Sequence, residues 1–225
     1  MVKIFLDFEM NPIPKKFELE RELCRKEIIQ VGAVALDADD GVIGEYEQMV
    51  KPHYTNAIAP YIFRLTGITS DMIEQGICFE DAIIDLAAWC DKVSDKDDYE
   101  IYAWSDNDLI QLQQEMLIKD LCYFFDTLFM NVWTDFQYIF GDLLGISASM
   151  SLDKAVQALD MDFTGSQHSA LSDAMNTAKI YQMVQNEDEF ERVMKPIKEM
   201  MAPGEQLSTQ LSSVFNMDMF DFASE

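Results

Sequence analysis

The most restrictive feature of the chain lies in its first nine residues. An apolar, β-rich run, Val2–Phe8, ends in Asp7-Phe8-Glu9. A run of that length and composition reads as a buried strand. On a strand, residues i and i+2 face the same way, so both carboxylates project from one side and Phe8 from the other. Two carboxylates ~4 Å apart at an effective dielectric of ~20 repel by about 4 kcal/mol. A strand end that keeps them together needs either solvent or a divalent cation, and hard oxygen ligands suit Mg²⁺ or Mn²⁺. The spacing alone leaves both readings open.

Further strand-like runs follow at Glu27–Leu36 and Val42–Val50, joined through Asp37-Ala38-Asp39-Asp40-Gly41. The Asp-Gly step predicts a hairpin turn. Calcium binding of the EF-hand type is excluded there, because that loop needs glycine at its sixth position and Gly41 is the fifth from Asp37. Asn11–Arg25 reads as loop then short helix, and Asn56–Gln75 as short helical pieces around Thr66-Gly67. The apolar spacing of Ala82, Ile83, Leu86, Ala87 and Cys90 predicts a helix over Phe79–Val93. After the acidic loop Asp95–Glu100, strand-like runs at Ile101–Trp104 and Phe129–Trp133 alternate with helices. Those helices are expected at Asp106–Ile118, Asp135–Leu144, Leu152–Leu159, Ser169–Gln185 and Asp188–Met201. Three strands followed by strand–helix alternation predict an α/β fold, a mixed five-stranded sheet covered by helices. Beyond Pro203-Gly204 the last 22 residues hold four acids and no bases, which reads as a flexible acidic tail. The expected division is a folded domain over 1–202 and a tail over 203–225.

Charge restricts the partners. The 225 residues carry 16 Lys+Arg against 41 Asp+Glu, a net −25. That balance excludes a general polyanion-gripping face and adsorption to anionic membranes. Residues 1–26 are the exception, with six bases and five acids. The cysteines Cys24, Cys78, Cys90 and Cys122 have no metal-like spacing and read as buried thiols in a reducing compartment. Acids by position 7 leave no room for a signal-peptide apolar region, and no run approaches the ~18 apolar residues of a membrane span. The expected location is cytoplasmic.

Two more clusters carry chemistry. In Tyr102-Ala103-Trp104-Ser105-Asp106-Asn107-Asp108 a strand runs out into a polar turn and a helix begins. Asp106 suits an N-cap, and Asp108 would lie in the first helical turn, where helix-end electrostatics also accounts for an acid. In Gln167-His168-Ser169-Ala170-Leu171-Ser172-Asp173-Ala174, His168 and Asp173 are five residues apart, ~140° of helix rotation. They converge only if His168 stands on the loop and Asp173 in the first turns. A loop histidine suits a general base near neutral pH.

In order, Asp-x-Glu, Trp-Ser-x-x-Asp and His-x₄-Asp resemble the DEDDh 3′–5′ exonucleases, the DnaQ-like and RNase T-like branch of the ribonuclease H-like fold. Phe5-Leu-Asp-Phe-Glu-Met-Asn-Pro12 matches the first motif. Trp104-Ser-Asp-Asn-Asp108 matches a Trp-Gly-x-x-Asp form, with Ser105 in place of glycine. His168-Ser-Ala-Leu-Ser-Asp-Ala174 matches the third. Supporting matches are Glu27-Ile-Ile-Gln-Val-Gly-Ala-Val34, Val50-Lys-Pro52 and Leu65-Thr-Gly-Ile-Thr69, so the resemblance spans about residues 1–185.

The resemblance implies a sheet with helices on both faces and two divalent cations, Mg²⁺ or Mn²⁺, held by Asp7, Glu9, Asp108 and Asp173. It implies His168 as general base and release of nucleoside 5′-monophosphates from a 3′ end. It also places Met10, Asn11, Leu65 and Thr66 at the terminal nucleotide. Lys15, Lys16, Arg21, Arg25 and Lys26 lie just after the metal strand, and some of them, Lys15 and Lys16 first, are expected to contact phosphates near the scissile bond. The scarcity of basic stripes elsewhere predicts single-stranded 3′ ends or short oligonucleotides as substrates. A homodimer is implied by the resemblance, and Gln210–Phe215 resembles peptides that bind sliding clamps. The competing readings are a catalytically silent nucleic-acid-binding scaffold and a proofreading or repair nuclease attached to a polymerase or clamp.

Overall fold

In a computed structural model, which describes residues 1–121, 132–145 and 149–201, a six-stranded sheet carries helices on both faces. The strands are β1 (Val2–Pro12), β2 (Lys26–Leu36), β3 (Val42–Lys51), β4 (Ile77–Cys78), β5 (Tyr99–Ala103) and β6 (Trp133–Asp135). The helices are α1 (Glu18–Leu23), α2 (Pro60–Thr66), α3 (Ser70–Glu74), α4 (Phe79–Val93), α5 (Asn107–Ile118), α6 (Phe136–Leu144), α7 (Leu152–Ala158), α8 (Ala170–Gln185) and α9 (Glu187–Met201).

Strand order is β4-β3-β2-β1-β5-β6. β1, β2 and β3 form an antiparallel meander, while β5 and β6 add parallel to β1 and to each other. β1 therefore has an antiparallel neighbour on one side and a parallel neighbour on the other. Such a change of sense leaves a crevice beyond the carboxyl ends of the parallel strands.

The alternation of β1 divides the core. Ile4, Leu6 and Phe8 pack with Ala82, Ile83 and Leu86 of α4 and with Leu112 and Met116 of α5. Phe5 points the other way, into Tyr102, Phe136, Ala174, Ala178 and Tyr181 beneath α6 and α8. α5 belongs to one helical layer and α8 to the other, and β1 runs between them.

The expected hairpin is present. Asp37 Oδ1 accepts from the backbone N–H groups of Asp39 and Gly41, each at 2.9 Å. The sheet has six strands where five were expected. β4 is only two residues long, parallel to the end of β3, and two residues show no periodicity. β6 begins at Trp133, where the expected strand ends; positions 129–131 of that run lie outside the described residues. Cys24 and Cys90 are buried as expected, but Cys78 is exposed. It stands at the N-cap of α4, where its Sγ accepts from Asp81 N–H at 3.4 Å. Cys122, residues 203–225 and the Gln210–Phe215 segment lie outside the described residues. Among the described residues no helix is long and apolar enough to cross a membrane.

Candidate active site

β1 sets the first two acids. It runs on past Phe8 to Pro12, so Asp7 and Glu9 lie within its length, opposite Gly32 and Gln30 of β2. The pairing slips between Glu9 and Met10, where Ile29 is the unpaired residue of β2. Bulges of this kind re-aim neighbouring side chains.

The third acid arrives from β5. Because β5 is parallel to β1, the helix that follows it starts at the carboxyl end of β1. Asp108, in the first turn of α5, is buried, and its Oδ1 accepts the Phe8 N–H at 3.1 Å. Helix capping does not explain these acids. Asp106 occupies the N-cap position without a side-chain capping bond. The turn is closed instead by Ser105, whose Oγ accepts from the Asn107 side chain at 3.0 Å. The serine standing where the resemblance expects glycine thus fastens the turn that carries Asp108.

The fourth acid and the histidine come with α8. Gly32 lets that helix approach: a Cβ added there would lie 2.1 Å from the Ala170 carbonyl carbon and from Leu171 N. A glycine inside a strand marks this sort of close backbone approach. Gln30 fastens the contact. Its Oε1 accepts the Ala170 N–H at 3.1 Å, and its Nε2 donates to Glu47 at 2.9 Å. The neighbouring Ser169 makes no side-chain capping bond, so Gln30 caps the helix from the sheet. Gln30→Ala should cost about 1–2 kcal/mol by leaving a buried amide unpaired, which urea denaturation would measure.

His168 stands on the loop before α8, exposed, with φ at +59°. Its backbone faces the Asp173 carboxylate and offsets part of the upward shift that burial gives that group. One ligand-capable atom from each of Glu9, His168 and Asp173 lies within 4.8 Å of the other two.

Asp7, Glu9, Asp108, His168 and Asp173 line one cavity of about 710 Å³. Among the described residues no Lys or Arg forms an ion pair with any of the four acids. Burial pushes the Asp7 carboxyl well above the usual range, and Asp108, Asp173 and Glu9 add to the shift. Burial, then Asp173 and Asp108, push Glu9 up to about 8. Burial likewise raises Asp108 and Asp173 to about 7 each. The Oδ1 of Asp173 is buried with no hydrogen-bond partner. Four mutually repelling carboxylates, one with an orphaned oxygen and none beside a thiol, fit hard divalent cations.

The other expected positions are placed as follows. Met10 lines the cavity. Asn11 is buried, its side chain donating to Ala57 O at 3.1 Å and accepting Ala59 N–H at 2.9 Å, so it anchors the entry to α2. Leu65 is exposed, and Thr66 Oγ1 donates to Ile62 O and accepts from Ile68 N–H. Lys15 and Lys16 are exposed and not among the cavity-lining residues, whereas Arg25 and Lys26 are. The roles of Gln30 and Gly32 were not read from the sequence. The available signal was a glycine inside a run of buried β-branched residues.

The RNase T family model, described as an exonuclease, matches residues 4–181. A probable 3′–5′ exonuclease of Bacillus subtilis, KapD, is 23% identical over 193 residues, covering 86% of this chain and 89% of that protein. Human ERI1 exoribonuclease 2 is 27% identical over 173 residues, covering 68% of this chain and 24% of that protein, so the match spans about a quarter of its length. The fold is shared with the nuclease domain of 3′hExo, a DEDDh family member solved bound to rAMP. The TM-score is 0.70 at 23% identity, covering 84% of this chain and 94% of that one. With the four acids and the histidine gathered in one cavity and the family match running through all of them, the chain belongs to the RNase T exonuclease family, 3′–5′ exonucleases of the DEDDh type.

Proposed function

We propose that the protein removes nucleotides one at a time from single-stranded RNA or DNA 3′ ends, releasing nucleoside 5′-monophosphates with the help of two divalent cations. The observation that carries this reading is the meeting of five side chains from β1, α5 and the start of α8 in one cavity. The RNA-directed names of the human relative and the rAMP bound to the solved neighbour favour RNA ends.

Asp7, Glu9 and Asp173 would hold one cation, and Asp7 with Asp108 the second. Bound there, such cations lower the pKa of a water and stabilise charge on the leaving oxygen. The remaining work falls to the chain. His168 takes a proton from the attacking water as its oxygen bonds to phosphorus. The bond from phosphorus to the 3′-oxygen of the penultimate nucleotide breaks, and that oxygen gains a proton from solvent. The exposed position of His168 lets its proton leave to water. The Gln30–Ala170 bond fixes the start of α8, and a ligand-capable nitrogen of His168 lies within 4.8 Å of carboxylate oxygens of Glu9 and Asp173. His168→Asn should lower kcat on the order of 10²-fold with KM little changed, as loss of a general base does. An unchanged kcat would remove His168 from the mechanism.

End-labelled RNA and DNA oligonucleotides, incubated with Mg²⁺, Mn²⁺ or EDTA, test the whole reading beside Asp7→Ala. A one-nucleotide ladder from the 3′ end, lost with EDTA and in the variant, is the expected result. No cleavage of any substrate would leave the silent scaffold as the better account.

A further inference from the structure

The cavity walls are strongly acidic, with Glu22 adding to the four catalytic acids, yet two bases stand among them, Arg25 and Lys26. They are the only Lys or Arg among the described residues that line it. Neither forms an ion pair with a described carboxylate, whereas Lys3, Lys51, Lys119 and Arg192 all do. Lys26 stands near enough to Glu9 and Asp108 to offset part of their upward pKa shifts. In a chain of net −25, the pair still leaves positive charge for an anion that arrives from outside.

Their backbone is held on three sides. Arg25 O accepts the Ile13 N–H at 2.9 Å. Lys26 O accepts from Gln111 Nε2 at 2.9 Å and from Cys24 Sγ at 2.9 Å. Gln111 in turn donates to Glu115, a buried carboxylate that also takes the Ile28 N–H and the Lys119 ammonium. The pair therefore sits on a fixed platform between β1 and α5, and both residues are exposed. Its place along the strand is also fixed. Lys26 pairs with Pro12, three residues beyond Glu9, which is about 10 Å along β1. The bond being cut lies at the carboxylates, so these heads serve a different phosphate. On a strand ending in a 3′-hydroxyl, every other phosphate lies upstream.

We propose that Arg25 and Lys26 form a second phosphate subsite that takes a non-scissile phosphodiester upstream of the bond being cut. The proposal rests on the nuclease reading above and specifies how the strand is gripped. It explains how so acidic a protein would retain a single strand with few contacts: Asp7, Glu9, Asp108 and Asp173 would hold the cations that offset the scissile phosphate, and this pair answers the next one. Arginine supplies a bidentate fork and lysine a point charge, a combination suited to a flexible phosphate.

The test compares wild type with Arg25→Gln/Lys26→Gln on three substrates. One is a nucleoside 5′-phosphate p-nitrophenyl ester, which has a single phosphodiester. The second is a short oligonucleotide, and the third is the same oligonucleotide with a neutral methylphosphonate at the linkage next upstream of the scissile one. In wild type the methylphosphonate should raise KM roughly tenfold, as loss of charge-assisted bonds does. In the variant the two oligonucleotides should have KM values within about twofold, because the partner of the charge is already gone. The ratio of kcat/KM for oligonucleotide over ester should drop about tenfold in the variant. The slope of log KM against log salt should shrink by about 0.7 for each lost contact. Equal losses on ester and oligonucleotide would overturn the proposal and place the pair at the scissile phosphate or on the carboxylates. No loss on either would show two solvated charges and overturn it as well. A wild-type protein inert toward all three substrates would instead defeat the nuclease reading.

Discussion

Asp7→Asn should abolish turnover while raising the melting temperature of the metal-free protein. The loss of activity is expected on the order of 10⁴-fold, since cation stabilisation of charge contributes several kcal/mol and Asp7 would ligate both cations. The gain in stability comes from the same residue. Four carboxylates crowd one cavity without a basic partner at ion-pair distance among the described residues. Burial raises all four pKa values, joined by repulsion from neighbouring acids at Asp7, Glu9 and Asp108. Glu9 is pushed to about 8, Asp108 and Asp173 to about 7, and Asp7 in the same direction. Ordinary carboxylates ionise near pH 4. Between about pH 4 and 8 the folded protein therefore holds protons that the unfolded chain has released, so stability falls as pH rises through that window. An amide at position 7 removes one of the buried charges. In EDTA the difference in melting temperature between variant and wild type should be near zero at pH 4 and grow toward pH 8.

Cations act in the opposite direction. At a hundred times its dissociation constant, a cation that binds only the folded state stabilises by about 2.7 kcal/mol. That corresponds to a rise of ~5–10 °C for a domain of this size. Wild type at pH 8 should show this rise with Mn²⁺ and Asp7→Asn should show little of it. A variant that melts below wild type in EDTA at pH 8 would mean that the carboxylate is a structural ion rather than a held repulsion.

Gly32→Ala should damage both fold and site. A Cβ at 2.1 Å from the backbone of Ala170 and Leu171 cannot be absorbed by turning a side chain. Strand β2 and the start of α8 must separate, at a cost of about 3 kcal/mol for a tightly overpacked site, or ~6–12 °C in melting temperature. The shift also carries Asp173 and His168 away from Asp7 and Glu9. A displacement near 1 Å costs on the order of 10²-fold in rate. The two effects separate experimentally. Activity assayed well below the melting transition reports the geometry, and Mn²⁺ titration of the folded variant reports the carboxylates. Wild-type activity and stability together would show that the close approach of β2 and α8 is not required.

Much of this architecture is visible in local patterns. The helix over Phe79–Val93 has the bounds its apolar spacing predicts, because α4 buries one stripe against the sheet and nothing interrupts it. The antiparallel meander follows from three strand runs and the Asp37–Gly41 turn. β4 escaped because two residues have no period, and the extension of β1 to Pro12 because it comes from pairing across a bulge with β2.

The site divides along similar lines. The order of the three motifs was enough to name Asp7, Glu9, Asp108, His168 and Asp173 as candidates, and all five line one cavity, although Asp7 and Glu9 lie within β1 and not at its end. Composition could not choose among the bases of residues 1–26: all are close to Glu9 in the chain, but only Arg25 and Lys26 line the cavity. Nor could it separate Asp106 from Asp108 as cap or ligand; in the fold it is Asp108 that takes the Phe8 N–H, 100 residues away in the chain, and lines the cavity. Periodicity and turn chemistry act over a few residues, through backbone sterics that every chain obeys, and so they can be read in one dimension. Which ends meet depends on long-range packing. Gly32 admits α8, Gln30 pins its first turn, and the parallel entry of β5 delivers α5 to the carboxyl end of β1.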